Sequence, residues 1–124
     1  VLRDGGETLK ALIARMRAVK LSHHADAVAE AFDRLESVTD ELVRRAGDEP
    51  DLAGAAATGY LDLVGYTIYG WLWARMADAA GDDEFGVAKR QLADFYMARL
   101  MPTTGMLAQT VLADSRVVMA SDSF

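Results

Sequence analysis

Ala56-Ala57-Thr58-Gly59-Tyr60-Leu61-Asp62-Leu63-Val64-Gly65-Tyr66-Thr67-Ile68-Tyr69-Gly70-Trp71-Leu72-Trp73-Ala74 reads as the middle of one long helix that is apolar in almost every direction. From Leu52 to Ala74 the only charged side chain is Asp62, and Tyr60, Tyr66, Tyr69, Trp71 and Trp73 crowd the same stretch. Gly54, Gly59, Gly65 and Gly70 break that crowding. Gly59 and Gly70 lie about three turns apart and share one face; Gly54 and Gly65 share another by the same spacing. Glycine inside a helix costs roughly 1 kcal/mol against alanine, so four of them call for close approach by other backbones or bulky side chains. Three readings of this helix compete. A membrane span is long enough, yet Asp62 near its middle would cost about 2.5–3.5 kcal/mol. An aromatic-lined ligand pocket is the second. The favoured third is a central helix, buried on most sides by its own bundle and partly by a domain or subunit partner.

The punctuation on either side defines the other elements. Ala46-Gly47-Asp48-Glu49-Pro50-Asp51 is the clearest break. Gly47 suits the end of one helix, and Asp48 with Pro50 suits the start of the long one, which runs to about Ala79 before Gly81. Upstream, Leu21, Ala25, Val28, Phe32, Leu35, Val38 and Leu42 recur in steps of three and four against Glu30, Asp33, Arg34, Glu36 and Asp40. That pattern predicts an amphipathic helix, with Ser22 as a candidate cap. Before it, Leu9, Leu12, Ile13, Met16 and Val19 predict a first helix from about Glu7 to Lys20, opened by a Gly5-Gly6 linker. No glycine or proline separates these two, so one continuous bent helix is an open alternative. Downstream, Asp82-Asp83-Glu84 puts negative charge at the start of a fourth helix. Phe85, Ala88, Leu92, Phe95 or Tyr96, and Arg99 fall on its successive turns, and Pro102 stops or kinks it. Thr103 or Thr104 then caps a last helix with Met106, Leu107, Thr110 and Val111; the tail from Ser115 to Phe124 has no clear period. Loops this short join neighbours in antiparallel fashion. The expectation is a single all-α domain over residues 1–124, an antiparallel up-down helical bundle of four to five helices.

Composition narrows the chemistry. The chain of 124 residues has no cysteine, which excludes disulfides and thiolate metal sites and fits a reducing compartment; the chain is read as cytoplasmic. A net charge of −6, with 13 Lys and Arg spread along the sequence, argues against a nucleic-acid surface. His23 and His24 are adjacent, so on a helix they point about 100° apart and cannot readily chelate one ion; they read as two solvated histidines near a helix start. Asp78, Asp82, Asp83 and Glu84 lack the spacing of a calcium loop, and helix capping explains them. Asp62 has no second carboxylate one turn away to form an acid–base pair, and is expected at a rim or paired with an arginine from another helix. The serines lack a nucleophile-elbow context, there is no phosphate-cradling glycine loop, and the six methionines read as core filler.

The stretch from Ala56 to Tyr66, then Gly70-Trp71-Leu72-Trp73-Ala74, then Phe85, Lys89, Ala93 and Phe95 leading to Leu100-Met101-Pro102, resembles the C-terminal helical domain of bacterial acyl-CoA dehydrogenases related to 3-methylmercaptopropionyl-CoA dehydrogenase. In that domain an Ala-rich helix carrying Tyr-Leu, then Gly, then Gly-Trp precedes a helix with Phe and Lys that ends in Leu-Pro. The opening from Leu2 to Gly6 resembles the junction that follows the dehydrogenase domains. The resemblance covers nearly the whole chain. It implies a longer parent that uses FAD to oxidise an acyl-CoA thioester across its α and β carbons, with a carboxylate taking the α proton and FAD taking the β hydride. It places that base and the main FAD contacts upstream of Val1. No residue here matches a family catalytic motif, so no catalytic, cofactor-binding or metal-binding residue is assigned.

The expected role is therefore that of a non-catalytic accessory domain that covers the dehydrogenase core and stabilises its oligomer. A free-standing helical module that docks a partner helix is the alternative. The long helix carries more large apolar residues than one bundle face can bury. Some of them, or Val117, Val118 and Met119 in the tail, are expected to form an exposed patch that pairs in a two-fold homodimer.

Overall fold

In the computed structural model the described residues are 4, 6–46 and 52–121, and side chains are described for all of these except 46, 52–56 and 115–121. Among them are five α-helices: α1 (Glu7–Ala18), α2 (Ala25–Ala46), α3 (Leu52–Ala79), α4 (Glu84–Arg99) and α5 (Thr103–Ser121). The break centred on Gly47 to Pro50 lies outside the described residues. None of the helices is long and apolar enough to cross a membrane.

The amphipathic period of α2 does what its sequence dictates. Val28, Ala31, Phe32, Leu35, Val38 and Leu42 form one buried stripe, and Leu9, Ile13 and Met16 of α1 meet it. The outer faces of the same two helices carry paired charge. Arg17 donates to Asp33 and Glu36, each at 2.8 Å, Lys10 pairs with Asp40, and Glu41 pairs with Arg44 and Arg45. Exposed pairs of this kind add at most about 1 kcal/mol each, so the core stripe holds α1 and α2 together and the charges keep their outer side wet.

α3 is central. It packs most extensively on α5, then on α2 and α4. The face carrying Gly59 and Gly70 is the one that touches its neighbours: a Cβ at Gly59 would come within 2.9 Å of Val111 Cγ2, and one at Gly70 within 2.6 Å of Met101 Sδ. The pairs Thr39–Tyr60 at one end and Ser22–Asp78 at the other show that α3 runs antiparallel to α2. On the far side, Arg90 donates to the carbonyls of Ala80 and Gly81, just past the end of α3, while Tyr96 reaches Tyr66, Met101 reaches Gly70 and Val111 reaches Gly59. Both α4 and α5 therefore run back along α3. They do not pair with each other as antiparallel neighbours; they follow one another on the fourth limb of an up-down bundle, broken at Leu100–Pro102. Thr103, Thr104 and Gly105 restart the helix with short bonds to the carbonyls three residues back. Thr104 is buried, donates to the Met101 carbonyl and accepts from Arg34, which fastens the break to α2.

α1 ends at Ala18 and α2 begins at Ala25, so the two are separate helices and the alternative of one continuous bent helix falls away. The role of Gly6 is corrected. Gly6 is not an open linker: it is buried at the start of α1 with φ 79°, and a Cβ there would meet Thr39 Cγ2 at 2.7 Å. α5 continues to Ser121, past the point where its sequence period fades.

Candidate interaction face

Once α1, α2, α4 and α5 have taken their share of α3, one stripe is left over. Leu61, Gly65, Tyr69, Leu72 and Met76 lie four, four, three and four residues apart, a single helical face. Leu61 is 64% and Tyr69 61% exposed, and Leu72 and Met76 are also open to solvent. The other large residues of the expected patch are accounted for: Tyr60 and Leu63 are buried, and Val64, Tyr66, Ile68, Trp71 and Trp73 are half-buried against the core. Of the α3 aromatics, Tyr60, Trp71 and Trp73 turn to the core, while Tyr66 and Tyr69 share one groove.

α4 extends the stripe. Its inward side is made of small residues, Gly86 and Ala93, with Tyr96; Phe85, Leu92 and Phe95 point outward, the reverse of a core-facing stripe. The Gly86–Ala93 spacing of two turns was the sequence signal for this. Two shallow grooves run between the helices. Met76, Phe85 and Lys89 line one, and Asp62, Gly65, Tyr66, Tyr69, Tyr96 and Leu100 line the other. A Cβ added at Gly65 would meet nothing within 4 Å among the described residues, so this glycine is a notch in the floor of the second groove. Asp62 sits exposed at that groove's rim, as the first of its two expected placements. Lys89 lies 5.1 Å from the Phe85 ring in the other groove. Neither charge has an ion-pair partner among the described residues, unlike the paired charges of α1 and α2. Of the methionines, Met16 and Met101 fill the core, whereas Met76 and Met106 are exposed.

Polar anchors fix the angle at which α3 presents this stripe. Asp78, near its end, accepts the backbone N–H groups of Ser22 and His23 at 2.8 Å each, and its Oδ1 lies 2.5 Å from His23 Nδ1. It thus satisfies the turn between α1 and α2 from another helix. Burial alone would raise the Asp78 carboxyl; the Ser22 and His23 donors outweigh it and hold the group below the ordinary carboxylate range. His24 adopts φ 59° and its Nε2 lies 2.7 Å from Asp94 of α4. The two histidines are therefore engaged with α3 and α4, not simply solvated. Asp83 caps α4, accepting the Gly86 N–H at 2.8 Å. The Trp71 indole donates to the Met16 carbonyl, and the Tyr96 hydroxyl donates to the Tyr66 carbonyl at 2.5 Å. Burial, then the neighbouring Tyr66 and Tyr69, push Tyr96 up to about 12, which keeps it a neutral donor. Among the described residues no three acidic or imidazole groups gather into a cation site.

A helical bundle with a charge-paired side and an unpartnered apolar side is built to be one wall of something larger. Residues 6–122 match the family model described as acetyl-CoA dehydrogenase C-terminal like. The chain belongs to that family. It is 31% identical to 3-methylmercaptopropionyl-CoA dehydrogenase of Ruegeria pomeroyi, over 99% of this chain and 23% of that protein. The chain thus spans about a quarter of that relative's length. No solved structure matches it. The aromatic groove beside Gly65 carries the carboxylate of Asp62 and no cation, so its lining does not suit the diphosphate of FAD, the cofactor the family implies.

Proposed function

We propose that this chain is the non-catalytic C-terminal accessory domain of a FAD-dependent acyl-CoA dehydrogenase acting in the cytoplasm, and that it stabilises the assembled enzyme. The parent reaction is the α,β-dehydrogenation of an acyl-CoA thioester, with the catalytic base and the flavin contacts in other domains of that polypeptide. One observation carries the role: the outward stripe of α3, with Phe85 and Leu92 of α4, is apolar, fixed in place by Asp78 and Tyr96, and uncovered. Monomers seldom leave such a face to water. Its natural cover is the dehydrogenase body or a neighbouring subunit.

The chain purified by itself is the test. It is expected to be colourless, to take up no added FAD and to reduce no acceptor dye with any acyl-CoA. Flavin absorbance at one equivalent per chain, or acyl-CoA-dependent dye reduction, would overturn the accessory reading.

A further inference from the structure

The face has a symmetry of its own. Its stripe on α3 has its midpoint between Ile68 and Tyr69. About that point Leu61 is equidistant with Met76, and the Gly65 notch is equidistant with the exposed Leu72. Two of the charges without an ion pair among the described residues follow the same order: Asp62 stands at one end, and Lys89, which shares a groove with Met76, stands at the other. Resting on the reading of this face as an assembly surface, we propose that its occupant is a second copy of the chain, with Leu72 of each copy seated in the Gly65 notch of the other.

The two-fold axis lies in the plane of the face and crosses α3 at right angles beside Tyr69. The two α3 helices run antiparallel across it, and α4 lies over α4. Each Asp62 then meets the Lys89 of the opposite copy, so two ion pairs close the rim of an apolar contact. A parallel arrangement would put the two α4 helices on opposite edges and leave each Asp62 without a facing Lys89, which selects the antiparallel one. The arrangement also explains why Gly65, among the costliest residue types in a helix interior, stands where a Cβ would meet open space among the described residues. Close packing of two helices across a glycine brings their axes to the short end of the usual 8–10 Å; with Cα atoms about 2.3 Å off each axis, facing Cα atoms then come within the roughly 7 Å that a disulfide spans.

The chain has no cysteine, so an introduced one reports alone. Tyr69→Cys, beside the axis, is expected to give a disulfide-linked dimer under mild oxidation, while Leu12→Cys, exposed on α1, stays single. By sedimentation, Asp62→Lys is expected to weaken the dimer by about tenfold, since it sets like charges opposite each other twice. The exchanged pair, Asp62→Lys with Lys89→Asp, restores it. A monomer at every concentration with no bridge through Tyr69→Cys overturns the second copy as occupant, and so does a dimer that the charge exchange fails to rescue. Either result leaves the accessory role to be judged on the complete dehydrogenase.

Discussion

At the scale of the residue, Asp78 shows how one side chain shapes a distant turn. Its carboxylate accepts two backbone N–H groups that begin the α1–α2 turn, more than fifty positions earlier in the chain. Asp78→Ala leaves those donors to water and releases the turn from α3; it is expected to cost about 1–2 kcal/mol in urea unfolding, with Asp78→Asn falling between it and the native chain. The group is also a pH lever. Its folded pKa is depressed, so its stabilisation is present above the unfolded value, about 3.9, and is lost as pH falls through the folded one. Unfolding of the native chain is therefore expected to become easier below about pH 4, and Asp78→Asn to flatten that part of the profile. An unchanged acid limb in Asp78→Asn would mean the carboxylate does not hold the turn. The histidines were the clue that sequence alone misread. Adjacent on a helix they diverge, but here they close a turn, and a backbone at φ 59° lets both reach carboxylates.

At the scale of the element, legibility followed the source of the order. The period of α2 was readable because one repeating stripe meets one core, and its buried residues are those the spacing named. The facing of Gly59 and Gly70 was readable for the same reason. Gly70 contacts the end of Met101, a flexible side chain, and Tyr96 Cε1 at 3.4 Å from a built Cβ. A small side chain there displaces only the methionine tip; Gly70→Leu must push α4 or the Leu100–Pro102 break outward. That substitution is expected to destabilise by about 1–3 kcal/mol, read as a lower urea midpoint with an unchanged slope. An unaltered midpoint would show that the break yields freely. The outward turn of α4 was not readable from its large residues, because Phe85, Leu92 and Phe95 look like a core stripe until Gly86 and Ala93 are seen to be what α3 admits. The shared course of α4 and α5 along α3 was equally hidden: Pro102 announces a break, not the direction taken after it.

At the scale of the whole molecule, the two sides differ in kind. Along α1 and α2 most charged side chains have a partner; along α3 and α4 an apolar stripe lies open, and Asp62 and Lys89 at its rim have no ion-pair partner among the described residues. The excess of apolar residues on α3 was legible in the sequence, but which stripe would remain was not, since that depends on how four other helices divide its circumference. The proposed contribution of the domain is area and position. Leu72 lies at the centre of that contribution: exposed here, covered in the proposed assembly. The most direct measurement is the native mass and melting temperature of the complete dehydrogenase proposed to carry this chain, with Leu72→Glu beside the unaltered protein. A carboxylate buried in an apolar contact costs several kcal/mol, so the assembly is expected to dissociate or to melt at a clearly lower temperature. An enzyme of unchanged mass and unchanged melting temperature would contradict the claim that this face holds the assembly together.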